Sequence, residues 1–373
     1  MDFDALIIGA GAIGLAIAEN LSEDLSCLII DRNPAFGMET SSRNSEVIHG
    51  GIYYPKGSLK ARLCVDGNKL LYAWCDKKNV TYKKTGKYII AASKDELNEL
   101  ENIYQKGKAN GVKGLRRASI NEINENEPYV RAAGGLFSQD TGIIDTHSLM
   151  KSLLDSAEIK GCVFAKNHSL TNISKTEDGF ITEIKLPGGD NFLLKTKYVI
   201  NSAGLDADTV ASRAGIDIAK AGYDQNYCKG HYFKIADKKN YLASHLIYPL
   251  PLRKMHSLGI HVTLDLSGSL KLGPDTQFLT RRIQDYSVDE TLRDKFFAAA
   301  SLYLKGLEPE DLEPDYSGIR PKLQKEGGGY RDFIIKEESA KGLPGLINLI
   351  GMESPGLTSC LSVANYVRSL LFK

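Results

Sequence analysis

The sequence predicts an α/β fold in two interleaved parts: one with a parallel sheet, and an inserted α+β part with a mixed or antiparallel sheet. Three observations predict it. Short, largely apolar runs stand at 4–8, 26–30, 198–203 and 346–350, as in strands buried on both faces. The first two are joined by a stretch with helical apolar spacing at Ile13, Ile17 and Leu21. Between the runs, around 161–200 and 226–283, apolar and polar residues alternate as in strands with one solvated face.

Residues 4–8 form the first strand, ended at once by Gly9; 12–21 form a helix, and 26–30 a second strand ending on Asp31. Residues 58–78 are amphipathic and predicted helical, and 86–92 a strand. Ser93 with Glu96 predicts a capping box opening a helix over 94–109. Thr146 is the expected N-cap of a helix over 146–160. The alternation over 161–200 turns at Pro187-Gly188-Gly189, and 198–204 is a buried strand running into a turn of small residues. Strands are expected at 247–251, 258–264 and 346–350, and helices at 289–306 and 358–372. Residues 1–82, 145–225 and 330–373 are assigned to one discontinuous domain, and 83–144 and 226–329 to the domain inserted into it.

The composition narrows the classes. At roughly 150 residues per domain, 373 residues suit two domains. Lys plus Arg number 47 and Asp plus Glu 46, a net charge of +1, which argues against nucleic acid as a partner held by bulk electrostatics. With 42% hydrophobic and 25% charged residues and a mean hydropathy of −0.23, disordered, collagenous and coiled-coil classes are excluded. No apolar run approaches the ~18 residues of a membrane span. The acidic start Met1-Asp2-Phe3-Asp4 is unlike a secretory signal. The expected location is cytoplasmic, with peripheral contact at the inner membrane left open. Cys27, Cys64, Cys75, Cys162, Cys228 and Cys360 include no CxxC pair, so neither a metal site nor a disulfide framework is expected and the thiols are read as reduced and mostly buried.

Gly9-Ala10-Gly11-Ala12-Ile13-Gly14 is a GxGxxG between a strand and a helix. The first glycine permits the tight turn, the second lets backbone N–H groups approach a pyrophosphate at the positive helix end, and the third allows close helix–strand packing. Asp31 closes the second strand, where a carboxylate can accept from ribose hydroxyls. This is a Rossmann-like dinucleotide unit, equally suited to FAD or NAD. After it, residues 40–54 are dense in hydroxyl, amide and guanidinium groups and continue into His49-Gly50-Gly51 and two tyrosines. Such a segment suits a backbone laid across a polar cofactor.

With the glycine loop, this segment resembles the FAD-dependent oxidoreductases of the D-amino-acid oxidase superfamily, most of all the L-2-hydroxyglutarate dehydrogenases and oxidases. Four more stretches resemble that family in its order: 140–145 (DTGIID), Tyr248-Pro249-Leu250-Pro251 with 258–263 (LGIHVT), 268–274 (GSLKLGP) and 354–359 (SPGLTS). The His-Gly-Gly run is also similar to flavin-linked glycerol-3-phosphate dehydrogenases.

The resemblance implies roles. Gly9, Gly11, Ala12, Ile13, Gly14, Asp31 and Arg32 would hold the ADP half of FAD. Thr40, Ser41, Ser42, Arg43, Asn44, Ser45 and His49 would follow the pyrophosphate, ribityl chain and flavin. Leu170 would lie near the adenine and Ser202-Ala203-Gly204 beside the cofactor. Gly356, Leu357 and Thr358 would place a helix N-terminus at the flavin's pyrimidine end, where negative charge gathers on reduction. Arg320 would bind the substrate carboxylate through its two-pronged guanidinium. His49 and His261 would be candidate bases, with Tyr248 and, more weakly, Tyr53 and Lys229 lining the site and Lys322 assisting anion binding. FAD would be non-covalent, although Cys360 and His49 lie near cofactor motifs.

The implied activity is hydride transfer from a small 2-hydroxy acid to FAD, best matched by L-2-hydroxyglutarate giving 2-oxoglutarate. Amino-acid or secondary-amine oxidation and glycerol-3-phosphate oxidation are the alternatives. The electron acceptor would be oxygen, a quinone or a carrier protein. Three departures bear on the substrate. Glu46 stands where the family usually has glycine, and a carboxylate there would repel an anionic substrate unless paired, for example with Arg43. Lys229-Gly230-His231-Tyr232 replaces an Arg-Gly-acid-Tyr run, and Pro321-Lys322 looks more like the amino-acid oxidases.

Overall fold

The strand Phe3–Ile8 lies mid-sheet because Ala5, Leu6 and Ile7 have no exposed surface on either face. In the computed structural model, which describes residues 1–250 and 259–372, it pairs in parallel with Cys27–Asp31 on one side and Asn191–Asn201 on the other. Val163–Lys166 extends the sheet beyond Cys27–Asp31, and Leu343–Ile350 pairs with Asn191–Asn201. Numbered along the chain, these parallel strands stand in the order 3-2-1-4-5, that of the Rossmann sheet, whose ligands sit outside the strand ends where the order reverses. Here that point is between Phe3–Ile8 and Asn191–Asn201. The hairpin Ser169–Lys175 with Phe180–Lys185 and the strand Ile334–Glu338 add antiparallel pairings.

The helix Ala12–Leu21 buries Leu15, Ala16, Ile17, Ala18 and Leu21 on this sheet. Each such Leu or Ile contributes about 1.5–3 kcal/mol. The helices Leu59–Lys78, Thr146–Ile159 and Gly356–Leu371 complete that layer, with Leu149, Leu153, Val363 and Val367 in the same core.

A second, nine-stranded mixed sheet runs from Gln277–Phe278 through Asn226–Ile235, Leu270–Leu272, Val262–Leu264, Leu246–Pro249, Lys87–Ala91 and Gly134–Ser138 to Leu115–Ala118. Leu312–Lys322 pairs with Asn226–Ile235. All pairs are antiparallel except Leu246–Pro249 with Lys87–Ala91. The helix Arg293–Ser301 packs Phe296 on Phe233 at 4.6 Å between ring centres. A small sheet of Val47–Ile48, Gly142–Ile144 and Tyr82–Lys83 completes the strands.

Several details differ from expectation. The cap of Thr146–Ile159 is Asp145, whose carboxylate accepts from Ser148 N at 2.8 Å, not Thr146. Ser93 makes no side-chain cap; the helix Leu97–Ala109 is entered through a 3-10 turn, Lys94–Glu96, and Glu96 accepts from Ala92 N at 2.7 Å. The helix expected over 289–306 ends at Ser301. Leu312–Lys322 was not expected to be a strand, nor Arg320 to lie inside one. Pro251 and Leu258, at the ends of two expected strands, lie outside the described residues. All six cysteines are free and buried.

Candidate active site

A cavity of about 810 Å³ opens at the strand ends where the Rossmann order reverses, and both sheets line it. The glycine loop forms part of its wall. Gly9 has φ +102°, and a Cβ there would stand 2.6 Å from the Ser202 carbonyl oxygen. A Cβ on Gly14 would stand 2.0 Å from the Gly9 carbonyl oxygen. Gly14 therefore serves helix–strand packing and, unlike Gly9, Gly11, Ala12 and Ile13, does not line the cavity. The helix Ala12–Leu21 starts at Gly11 with no side-chain cap and no acid in its first turn. Ser41 Oγ accepts from Ala12 N at 3.0 Å. This open, positive helix end suits a phosphate.

Asp31 and Arg32 also line the cavity. Asp31 accepts from Ala10 N at 2.7 Å and Asn33 N at 2.8 Å, which leaves lone pairs for further donors. Arg32 pairs with Glu39 at 2.6 Å and with Asp206. Leu170, Ser202, Ala203 and Gly204 line the cavity as expected. Arg213 donates to the Leu170 carbonyl, and Ser202 Oγ donates to Ile8 O at 2.9 Å.

The segment after the second strand is fastened across the second sheet. Thr40 donates to Ile319 O at 2.9 Å, and Tyr316 donates to Asn44 O at 2.6 Å. The hydroxyls of Ser45 and Tyr232 lie 2.8 Å apart. Gly318 is a glycine because a Cβ would stand 2.0 Å from the Arg43 carbonyl oxygen. Thr40, Ser41, Arg43, Asn44 and Ser45 line the cavity. Ser42 does not; its hydroxyl turns back to Glu39 O at 3.3 Å. Arg43 lies 4.1 Å over the Tyr286 ring.

Glu46 adopts φ +54°, a left-handed conformation that favours glycine. Its carboxylate does not pair with Arg43. It accepts from Thr146 N at 3.3 Å, at the start of a helix, and is absent from the cavity wall. The expected repulsion of substrate by Glu46 therefore has no geometric basis.

Gly356 and Leu357 line the cavity at the uncapped start of the last helix. Thr358 is buried outside it: its Oγ1 accepts from His49 N at 2.9 Å and donates to Val47 O at 3.3 Å. It ties the histidine segment to that helix.

Arg320, His49, His261 and Tyr248 all reach the same cavity. Arg320 Nη2 donates to Asp275 O at 2.6 Å and Lys229 O at 3.1 Å. Strand alternation turns Gly230 and Tyr232 toward the cavity and Lys229 away, to Asp285 at 3.1 Å. His231 pairs with Asp275 at 2.8 Å. Lys322 lines the cavity, but its ammonium is taken by Glu353 at 2.7 Å; Tyr53 is not in the wall. Tyr248 stacks on His261 with ring centres 3.7 Å apart, and His261 Nε2 is buried with no hydrogen-bond partner among the described residues. Burial, then the charge of Lys87, pushes both histidines down, His49 to about 3 from 6.5 and His261 well below it. Both are neutral and able to accept a proton.

Two functional features were not legible. Lys87 is 1% exposed, with Nζ 4.5 Å from the Tyr248 ring centre and 5.1 Å from that of Tyr53. In GKYIIAA it reads as an ordinary residue at a strand start. Glu353, beside the expected helix, bridges Lys60 at 3.0 Å and Lys322. Burial raises its carboxyl, but the two ammoniums outweigh that and hold it at about 2. Nothing in its sequence neighbourhood marks it.

Residues 4–370 match the family of FAD dependent oxidoreductases called DAO. The chain belongs to the DAO family. It is similar to the mitochondrial L-2-hydroxyglutarate dehydrogenase of Arabidopsis thaliana, at 37% identity over 98% of this chain and 82% of that protein. It is 28% identical to the L-2-hydroxyglutarate dehydrogenase of Indibacter alkaliphilus, over 98% of each. The structure of the L-α-glycerophosphate oxidase of Mycoplasma pneumoniae with FAD bound superposes with a TM-score of 0.87 at 26% identity, covering 100% of this chain and 95% of that one. FAD is the cofactor of this DAO-family oxidoreductase, and the residues present fit it: Gly9 and Gly11 bring bare backbone to the cavity wall, the helix start beside them has no acid in its first turn, and the adjoining cavity is long enough to be lined from Asp31 to Arg320. Among the described residues no helix is long and apolar enough to cross a membrane.

Proposed function

We propose that this chain oxidises a small L-2-hydroxy acid, L-2-hydroxyglutarate to 2-oxoglutarate, with non-covalent FAD. The observation that carries the reading is the meeting of Arg320, His261 and His49 in one cavity with the glycine loop, in a chain 37% identical to an L-2-hydroxyglutarate dehydrogenase along nearly its whole length. Gly9, Gly11, Ala12, Ile13, Asp31, Arg32, Thr40, Ser41, Arg43, Asn44 and Ser45 would hold the dinucleotide, and Gly356 and Leu357 would lie at the flavin. When bound, FAD supplies the acceptor for the hydride that leaves the hydroxyl-bearing carbon. Arg320 holds the carboxylate and orients that carbon. The hydroxyl proton goes to a neutral imidazole, His261 having a buried nitrogen with no partner among the described residues, as the C–O bond becomes C=O. Tyr248 keeps the His261 ring in plane by stacking. We assign residues 1–82, 145–225 and 330–373 to the FAD domain and the intervening segments to the substrate domain.

The second reading is glycerol-3-phosphate, favoured by the superposition on the glycerophosphate oxidase. Turnover with an artificial electron acceptor separates the two. 2-Oxoglutarate formed from the L-acid supports the first reading, and dihydroxyacetone phosphate formed from glycerol-3-phosphate replaces it with the second.

A further inference from the structure

We infer that Lys87 is a positioning residue whose buried ammonium, stacked through Tyr248 onto His261, keeps that imidazole from taking up a proton until an anionic substrate arrives. The inference rests on the proposed role of His261 as a base.

Lys87 opens the strand Lys87–Ala91, in register with Leu246 of the parallel strand that carries Tyr248. Its side chain lies behind the cavity wall, outside the lining. No carboxylate of the described residues pairs with it; its ammonium rests on the rings of Tyr248 and Tyr53. A fully buried lysine without an acid is rare, and ring faces offset only part of its desolvation. Tyr248 in turn stacks on His261, so cation, ring and imidazole form one contiguous stack.

The groups that face this stack are accounted for. Cys64, from Leu59–Lys78, is an uncharged thiol pushed up to about 12 by burial. Tyr53 and Tyr248 are raised by burial and uncharged. Arg320, from Leu312–Lys322, acts on His261 in the same sense as Lys87. No carboxylate contributes to either histidine. In so dry a setting a second positive charge beside Lys87 is disfavoured, and the resting imidazoles stay unprotonated. Lys87 itself is drawn down by burial to about 7. A bound substrate carboxylate brings negative charge into the same field. It offsets Lys87 and restores the imidazole's affinity for the hydroxyl proton when that proton must leave. The cavity thus couples base strength to the presence of an anion.

The test uses FAD-loaded protein with carbon-13-labelled histidine, with resonances assigned by His49→Gln and His261→Gln. Lys87→Gln and Lys87→Met remove the charge, and Lys87→Arg keeps it. The titration midpoint of His261 is expected to rise by at least about one pH unit in the two neutral variants and to stay put in Lys87→Arg. The acid limb of the anaerobic flavin-reduction rate is expected to move upward by the same interval. Midpoints unchanged in both neutral variants overturn the inference. Failure of every hydroxy acid to reduce the flavin would instead overturn the proposed reaction, and the histidine titration decides on Lys87 independently of it.

Discussion

Arg320 Nη2 donates to the main-chain carbonyl of Asp275 at 2.6 Å, while the carboxylate of the same aspartate takes hydrogen bonds from the His231 ring at 2.8 Å and from Lys295 at 2.6 Å. One residue thereby fixes the guanidinium through its backbone and is itself fixed through its side chain. The guanidinium is anchored before any ligand arrives, and in its proposed role as carboxylate receptor this lowers the ordering cost of binding. Arg320→Ala is expected to weaken the hydroxy acid by about 10²-fold, the scale for truncating one partner of a buried charge pair, and Arg320→Lys to recover only part, because an ammonium lacks the fork. FAD uptake is expected to be unchanged. The substrate dependence of anaerobic flavin reduction measures the first and flavin fluorescence the second.

Asp275 also makes stability depend on pH. Burial raises its carboxyl, but hydrogen bonds from His231 and Lys295 outweigh this and hold it at about 2 against an ordinary 3.8. A depressed folded-state value gives stability that is fully present above 3.8 and lost as pH falls toward 2, worth about 2 kcal/mol. Urea unfolding across that window is expected to show this loss in the wild type and a flatter profile in Asp275→Asn.

Gly9 and Gly11 separate two kinds of damage. Gly9→Ala forces a Cβ into main-chain atoms at φ +102°, so it is expected to lower stability by at least about 1–3 kcal/mol, seen as a lower Tm with or without FAD. Gly11→Ala meets only the Ser41 hydroxyl, 2.8 Å away, which can swing aside. Its expected cost is weaker FAD binding, because the Ser41–Ala12 hydrogen bond is lost, with Tm of the FAD-free protein nearly unchanged.

Glu353 pairs with two ammoniums at the cavity, the buried Lys60 and the partly exposed Lys322. Glu353→Gln leaves Lys60 and Lys322 without their carboxylate and is expected to cost about 3–5 kcal/mol. Adding Lys60→Met removes one stranded charge and is expected to return part of that loss. Denaturant midpoints of the single and double variants check both.

The glycine loop and its flanking strands were readable because each rests on local signals: apolar runs, a helical period and glycines. The 3-2-1-4-5 order was not, since it depends on pairing Phe3–Ile8 with Asn191–Asn201 far along the chain. Leu312–Lys322 escaped notice because Pro314, Gly318 and Pro321 interrupt it. Among the described residues it pairs on one side only, with Asn226–Ile235, and such an edge tolerates proline. The cofactor loop was legible as a group, but not which members turn inward: Ser42, Gly14 and Thr358 sit in the right motifs and face elsewhere. Lys87 was invisible because a lysine opening a strand ordinarily lies in solvent, and only the closure of two tyrosine rings over it makes it buried.

The most direct measurement is the visible spectrum of the FAD-loaded protein, kept free of oxygen, on addition of L-2-hydroxyglutarate and, in separate cuvettes, its D-enantiomer, sarcosine and glycerol-3-phosphate. The account predicts that the flavin band bleaches with the L-acid and with none of the others. Bleaching by one of the others, and none with the L-acid, would contradict it.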